Sequence, residues 1–253
     1  MKNHIADYES IRLTKANFWC NVLCAAIMCA VHGCSRVLTA LLGIHSIFSA
    51  LPEILLSIPL CMGVYMVLSG VFAGEKADYS RVIHCFRSWK NYRDALLISA
   101  IVKAAELPLD IANAIAKLPN KPQMAVLAVV LIVMLLYSAV SFFAHIGIQY
   151  RWAAATAVGQ RPSPIKLSRE VLRTALSYYF PLLGRSFMFM TASICAVFVG
   201  AMGMMMFIAT VPVISYAVLA ALVVGLMMAM NIYYIRLCCK YCGRCFDQRQ
   251  YGE

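Results

Sequence analysis

Residues 124–144 read MAVLAVVLIVMLLYSAVSFFA and contain no Asp, Glu, Lys or Arg. A helix needs about 20 mainly apolar residues to cross the roughly 30 Å hydrocarbon layer of a bilayer, so this stretch is long enough to span one. Its apolar residues are continuous and do not alternate with a period of two, which favours a helix over a barrel strand. The stretch therefore predicts a membrane-spanning α-helix.

The composition of the whole chain extends this prediction. Of its 253 residues, 62% are apolar and 13% are charged, and the mean hydropathy is +0.77. Too little polar side chain remains to cover the surface of one water-soluble core of this length. The composition excludes an ordinary soluble protein and predicts an all-α membrane protein with a single polytopic membrane domain over residues 1–253.

Six apolar runs are long enough to cross a bilayer. They predict spans at about 18–42, 51–73, 95–118, 124–149, 186–211 and 213–237. The third run differs from the others because it contains Lys103, Glu106, Pro108 and Asp110. It predicts either a span shielded from lipid or a helix that lies at the membrane interface.

The basic residues are distributed unevenly between the two sides of these spans. Eighteen of the 22 lysines and arginines lie in the N-terminal arm, in the connections 74–94 and 150–185, and after residue 235. Because cytoplasmic loops carry the excess of positive charge, we expect both termini in the cytoplasm, with a basic, cysteine-rich tail at 238–253. The expected location is the cytoplasmic (plasma) membrane. The net charge of +11 indicates contact with anionic lipid headgroups rather than with nucleic acid.

The two long cytoplasmic connections contain helical patterns of their own. In residues 79–93 apolar side chains recur at spacings of three and four while basic side chains point elsewhere, which predicts an amphipathic interfacial helix. In the second connection Ser163 and Pro164 form a good helix start. Three basic residues then line one side of this second helix: Lys166, Arg169 and Arg173.

Weak internal similarity accompanies this order of elements. A shift of 85 residues aligns Tyr65 with Tyr150 and Gly74 with Gly159, and a shift of 71 aligns an N-terminal Ala-Asp-Tyr triplet with residues 77–79. Together with the order of the spans, these identities suggest three parallel helical-hairpin repeats. Each repeat consists of an amphipathic cytoplasmic helix followed by an out-and-back helical pair.

Two segments carry a family resemblance. The run GVYMVLSGVFAGEKADYSRVIHCF at 63–86, with YRWAAATAVGQRPSPIKLSREVLR at 150–173, resembles an uncharacterised family of six-span integral membrane proteins from low-GC Gram-positive bacteria. That family looks like the membrane domain attached to some glycerophosphodiesterases. The resemblance covers roughly residues 1–185 and rests on Gly63, Tyr65, Gly74, Glu75, Phe86 and Ser168. It implies a six-span fold and a bacterial membrane location, but no activity.

A polar stripe on the third span is the best candidate for a functional site. At 100° per residue, its members fall within about 80° of one helix face. Ionisable groups inside a membrane cost at least about 2.5 to 3.5 kcal/mol each, so they are expected to pair or to face water. The stripe comprises Lys103, Glu106, Asp110, Asn113 and Lys117.

Two interpretations of this stripe remain open. In the functional one, it lines a path for an ion, a proton or a substrate, joined by Arg36, Glu53 or Arg185 from other spans. In the structural one, it is an ion-pair ladder that holds the bundle together, or part of an interfacial helix.

Small residues recur every four positions in the last two spans. Such ridges let helix backbones approach closely in lipid, so we predict a tightly packed hairpin and, as a sharper alternative, self-association or docking of a second membrane protein. The ridges are Ala192, Ala196 and Gly200, and then Ala217, Ala221, Gly225 and Ala229.

The cysteine-rich tail supports an alternative function. Thiolates at the spacing of Cys239, Cys242 and Cys245 can bind zinc, copper(I) or an iron–sulfur centre. On a continuing helix these residues share one side, so they can also simply replace apolar residues near the headgroups. We expect no cofactor, and His32, His45 and His145, which fall singly among the spans, are interpreted as hydrogen-bonded helix residues.

Sequence motifs of common enzymes are missing, including HExxH, GxxxxGK[ST], GxSxG and GxGxxG. We therefore expect a non-enzymatic, multi-pass protein of a bacterial cytoplasmic membrane. It would act in transport or as an envelope accessory component. The alternative hypothesis is a soft-metal or thiol-redox membrane protein that uses the tail cysteines.

Overall fold

The fold is described from a computed structural model. The description covers residue 11 and residues 13–41, 50–116, 124–208 and 212–250; the side chains of 112–116, 124–127, 199–208, 212–215 and 243–250, with several single ones, lie outside it. The described part of the chain is almost entirely helical and contains no strand, which confirms the prediction of an all-α protein.

The described segments form seven α-helices and two short helical segments of other types. The α-helices are α1 (Phe18–Leu41), α2 (Ile58–Phe72), α3 (Trp89–Ala116), α4 (Met124–Ala157), α5 (Pro164–Ser177), α6 (Tyr179–Ile208) and α7 (Pro212–Gln250). A π-helical segment, Glu53–Ser57, leads directly into α2, and a 3-10 segment, Tyr79–Arg87, precedes α3.

Four helices are long and apolar enough to cross a membrane. They are Phe18–Leu41, Glu53–Phe72, Ala128–Ala157 and Tyr216–Cys242, and they coincide with the first, second, fourth and sixth predicted spans. The third predicted span lies in α3, whose charged side chains lower its hydropathy. The fifth lies in α6, whose C-terminal part is outside the described side chains. These four helices support the prediction of a transmembrane protein.

Helix α2 forms the centre of the bundle. Nearly all of its side chains are buried, and it packs against α1, α3, α4 and the 3-10 segment. At Gly63 the approach is close enough that a Cβ atom would lie 2.0 Å from the carbonyl oxygen of Val82. Only glycine fits there, because the obstacle is backbone and cannot rotate away.

The prediction of a single amphipathic helix over residues 79–93 is wrong. The backbone is extended at Ser88 (φ −146°, ψ 146°), which separates the 3-10 segment from α3. Asp78 caps the 3-10 segment by accepting a hydrogen bond from the Ser80 amide (3.1 Å), and Cys85 on its inner side is fully buried. Packing against α2 therefore overrides the α-helical period of the sequence, whereas the predicted helix start at Pro164 is confirmed by α5.

The C-terminal ends of α2 and α4 have the same type of cap. Gly74 (φ +84°) and Gly159 (φ +81°) adopt the left-handed conformation that glycine favours. In both caps the next amide donates back to a carbonyl five residues earlier, Glu75 to Gly70 and Gln160 to Ala155, each at 2.9 Å. These bonds define a Schellman motif, and the two motifs lie 85 residues apart.

The predicted packing of the small-residue ridges is wrong for their described members. Ala192, Ala196 and the ridge alanines of α7 are exposed, and a Cβ added at Gly225 would meet nothing within 4 Å. Aromatic side chains join α6 to α7 instead, since the rings of Phe189 and Tyr233 stack at 4.7 Å. The described contacts between α6 and α7 therefore involve aromatic rings and not the small-residue ridges.

Candidate functional site

Four ionisable side chains from three elements meet inside the bundle. The Nζ atom of Lys103 forms ion pairs with Glu106 (Oε2, 2.7 Å) and with Glu53. On its other oxygen, Glu106 accepts a hydrogen bond from Nδ1 of His145. We call Glu53, Lys103, Glu106 and His145 the charged cluster.

Local helix geometry places these four side chains. Lys103 and Glu106 are three residues apart on α3, so they lie on the same face one turn apart. Glu53 is the first residue of the π-helical segment, and His145 lies on the α4 face that packs against α3. The cluster therefore joins the start of the α2 unit to α3 and α4.

The charged cluster is mostly covered but not sealed. Its four side chains keep between 17% and 20% of their surface exposed. Two carboxylates face one lysine, so these three groups together carry one net negative charge. An unbalanced charge is costly between apolar helices, and the cluster therefore has a physical reason to bind one proton.

His32 of α1 forms a second layer beside the cluster. Its two ring nitrogens form hydrogen bonds with Ser57 (Nδ1 to Oγ, 3.0 Å) and Cys61 (Nε2 to Sγ, 3.6 Å). It is close enough to Glu53, Lys103 and His145 to interact with them electrostatically. Four helical elements thus contribute ionisable groups to one region.

A polar face on α4 continues from His145. Ser138, Ser141, His145 and Gln149 are separated by three or four residues, so they form one stripe along the helix. The amide of Gln149 is fully buried, and neither of its polar atoms has a hydrogen-bond partner among the described residues. This face was missed when each histidine was considered alone, although the spacing of the four residues was readable from the sequence.

The other predicted site residues form no described hydrogen bond or ion pair with the charged cluster. Asp110 is exposed but close enough to Lys103, Glu106 and Glu53 to interact with them electrostatically, and it interacts in the same way with the exposed Arg36. Asn113 and Lys117 lie outside the described side chains. Arg185 lies over the ring of Tyr241, 5.6 Å from its centroid, and has no described contact with the charged cluster.

A second polar group, which we call the neutral network, joins other helices. The hydroxyl of Tyr65 on α2 donates to Oδ1 of Asn231 on α7 (2.9 Å), and Nδ2 of Asn231 donates to the sulfur of Met28 on α1 (3.0 Å). Nearby, the hydroxyl of Tyr234 donates to Oγ of Ser186 (3.1 Å). None of these groups carries a charge at neutral pH.

The described tail cysteines do not converge on one point. Cys239 lies near the hydroxyl of Tyr150, whereas Cys242 lies near Cys238, one turn away, and near Arg151. Among the described residues, no group of three or more His, Cys, Asp or Glu side chains is placed to hold a metal ion. The side chain of Cys245 lies outside the description, so the predicted triad is not tested.

Comparison of the chain with known protein families, curated proteins and solved structures found no match. The function must therefore be argued from the geometry of the chain itself.

Proposed function

We propose that this protein is a six-span, non-enzymatic protein of a bacterial cytoplasmic membrane that moves protons or small cations through the charged cluster. The observation that carries the proposal is the meeting of Glu53, Lys103, Glu106 and His145 from separate helices inside an apolar bundle. Ionisable side chains are rare at such positions and mark ion pathways and proton relays.

The six-span part of this proposal has its own support. Four of the six spans coincide with apolar helices of sufficient length, and α3 and α6, with 28 and 30 residues, are also long enough. Excess basic residues in the connections support a cytoplasmic location for both termini. Reporter tags at Ser46 and Asn120 should be accessible only from outside the cell, and labelling of either tag from the cytoplasm alone would refute this topology.

We also propose that the chain contains three parallel repeats. The equivalent Schellman caps at Gly74 and Gly159 support this, as does the contact between the corresponding Tyr65 and Tyr150, whose rings meet edge to face at 6.2 Å. Kinship with the six-span family of low-GC Gram-positive bacteria belongs to the same proposal and rests on the sequence pattern.

A proton relay fits the order of groups in the bundle. Glu106 contacts Lys103 on one oxygen and His145 on the other, so it can pass a proton between the two sides of the cluster. Beyond His145, the buried amide of Gln149 extends the polar face by one turn. Pro108, two residues after Glu106, lacks an N–H and leaves the carbonyl of Ala104 without its helical partner, which loosens α3 next to the relay.

Proton flux in liposomes tests this function. Purified protein is reconstituted with a trapped pH-sensitive dye, and a potassium diffusion potential drives proton entry. We expect Glu106→Gln, which keeps the shape and removes the charge, to lower the flux by about 100-fold. Glu75→Gln is the matched control, because Glu75 pairs with Arg81 in an exposed connection outside the bundle (3.0 Å) and its replacement should leave the flux unchanged.

Two outcomes would overturn the transport proposal. One is a wild-type flux no greater than that of protein-free liposomes, and the other is equal flux in wild type and Glu106→Gln. Either result would favour the structural interpretation, in which the cluster only ties α3 to its neighbours. Size-exclusion profiles in detergent show in each case whether the variant is folded.

The soft-metal or thiol-redox alternative has less support from the described geometry. Its thiols at Cys239 and Cys242 point to different neighbours, and its third member lies outside the description. A stoichiometric metal in the purified protein, lost on replacing Cys239, Cys242 and Cys245, would favour it over transport.

A further inference from the structure

A groove of about 830 Å³ opens between α3 and α5. Its walls are mainly apolar: Ile101 lines it from α3, and Ile165, Leu172 and Leu176 line it from α5. Ile165 and Leu176 keep 55% and 67% of their surface exposed, so no described part of the chain covers them. An amphipathic helix of a membrane protein normally places such an apolar face against lipid acyl chains.

Basic side chains flank the same groove. Arg169 and Arg173 line it, both are exposed, and neither forms an ion pair with a described residue. Glu170, the only carboxylate of α5, does not line it. The groove therefore presents an uncompensated charge of about +2 beside its apolar wall.

A buried polar group points to a ligand with oxygen or phosphate groups. Ser168 lines the groove and is 2% exposed, yet within the described part of the chain its hydroxyl has no hydrogen-bond partner. Such a group normally finds a partner, because an unsatisfied buried hydroxyl costs about 1 to 3 kcal/mol. It lies on α5 directly next to Arg169.

We propose that this groove is a binding site for one anionic phospholipid. The two arginines contact the phosphate, rotation of the Ser168 side chain brings its buried hydroxyl to the phosphate or ester oxygens, and an acyl chain lies along Ile101, Leu172 and Leu176. An amphipathic helix with basic and apolar sides is suited to the boundary between headgroups and acyl chains. A second copy of the chain fits less well, because two grooves of the same positive charge would face each other.

Native mass spectrometry of the detergent-solubilised protein tests the site. Wild type is titrated with phosphatidylglycerol or with phosphatidylcholine of identical acyl chains. We expect one phosphatidylglycerol to bind preferentially. Replacing both arginines, Arg169→Gln with Arg173→Gln, should weaken that binding roughly 30-fold. The matched control replaces two other exposed cations of this region, Arg161→Gln with Lys166→Gln, and should bind like wild type.

A single substitution tests the contribution of the Ser168 hydroxyl separately from that of the two arginines. Ser168→Ala removes only one oxygen from a buried position and should weaken phosphatidylglycerol binding by a few-fold while the stoichiometry stays at one. Equal binding of the two lipids, equal loss in the control pair, or a dimer mass that disappears in the arginine variant would each overturn the proposal. The last result would make a second copy the occupant. None of these outcomes depends on whether the protein moves protons.

Discussion

The charged cluster and the neutral network are two polar regions of one apolar bundle, and they differ in charge and in how completely they are buried. The side chains of the charged cluster are 17% to 20% exposed. Those of the neutral network are nearly sealed, with Tyr65 and Asn231 at 3% and Tyr234 and Ser186 at 1%. A sealed neutral pair can only hold helices together, whereas a partly exposed group of ionisable side chains can also exchange protons.

This contrast separates packing from function. In the neutral network the donors and acceptors are matched, so the bonds have no reason to change during activity. In the charged cluster the two carboxylates and the lysine together carry one net negative charge, so its state depends on what the surroundings supply. The following predictions test this difference, from the largest expected effect to the smallest.

Lys103→Met should be the most damaging single change. It leaves Glu53 and Glu106 without the cation between them, and breaking a buried ion pair on one side costs about 3 to 5 kcal/mol. The measurement is the free energy of unfolding in detergent, by titration with a denaturing detergent. Lys166→Met on the exposed face of α5 is the control and should change it by less than about 0.5 kcal/mol. Equal stability of the two variants would show that the cluster is not a buried ionic unit.

Gly63→Ala should disturb both regions, because α2 continues from the segment of Glu53 and supplies Tyr65. The new methyl group would lie against the backbone of Val82, and such overpacking costs about 1 to 3 kcal/mol. Gly33→Ala is matched to it, since nothing lies within 4 Å of that position, and it should be neutral or stabilising by up to about 1 kcal/mol. Similar unfolding energies for the two variants would mean that the 3-10 segment does not press on α2.

Tyr65→Phe should have a smaller effect, confined to the neutral network. It removes the donor to Asn231 and leaves the ring in place, which costs about 1 kcal/mol for a hydrogen bond between membrane helices. Tyr216→Phe, at a position 74% exposed, is the control and should be silent. Proton flux should be unchanged in Tyr65→Phe, and a flux as low as that of Glu106→Gln would erase the distinction between the two regions.

His84, which lies outside the charged cluster and the neutral network, should make the stability of the fold weakly dependent on pH. Burial, with help from Arg87, Arg161 and Arg81, lowers the pKa of His84 below its ordinary value of 6.5. The unfolded chain therefore takes up this proton more readily, so stability is complete above about pH 6.5 and falls as the pH drops below it. Melting temperatures of wild type and His84→Gln at pH 7.5 and 5.5 should show a smaller acid loss in the variant. The same acid loss in both would assign the pH effect to other groups.

Much of the helical framework could be predicted from the sequence. Long apolar runs and basic connections are local properties, so the spans at 18–42, 51–73, 124–149 and 213–237 were readable, as was the start of α5. The break at Ser88 was not readable, because it depends on the packing of Val82 against Gly63, two segments that meet only in the folded bundle.

The contacts of the charged cluster could be predicted from the sequence only in part. Lys103 and Glu106 are three residues apart, so helix geometry alone predicts their ion pair. His145 lies 39 positions from Glu106, and no local pattern specifies such a contact. The prediction that Ala192 and Ala196 pack against α7 was wrong for a related reason. Small residues permit close packing, but larger neighbours decide whether it occurs.

Infrared difference spectroscopy of the protein in bilayers tests most directly whether the charged cluster exchanges protons with water. Changing the pH of the perfusing buffer should produce carboxylate and carboxylic acid bands that shift in heavy water and that disappear in Glu106→Gln but persist in Glu75→Gln. Identical difference spectra for wild type and Glu106→Gln would contradict this account and leave the cluster as a fixed structural tie.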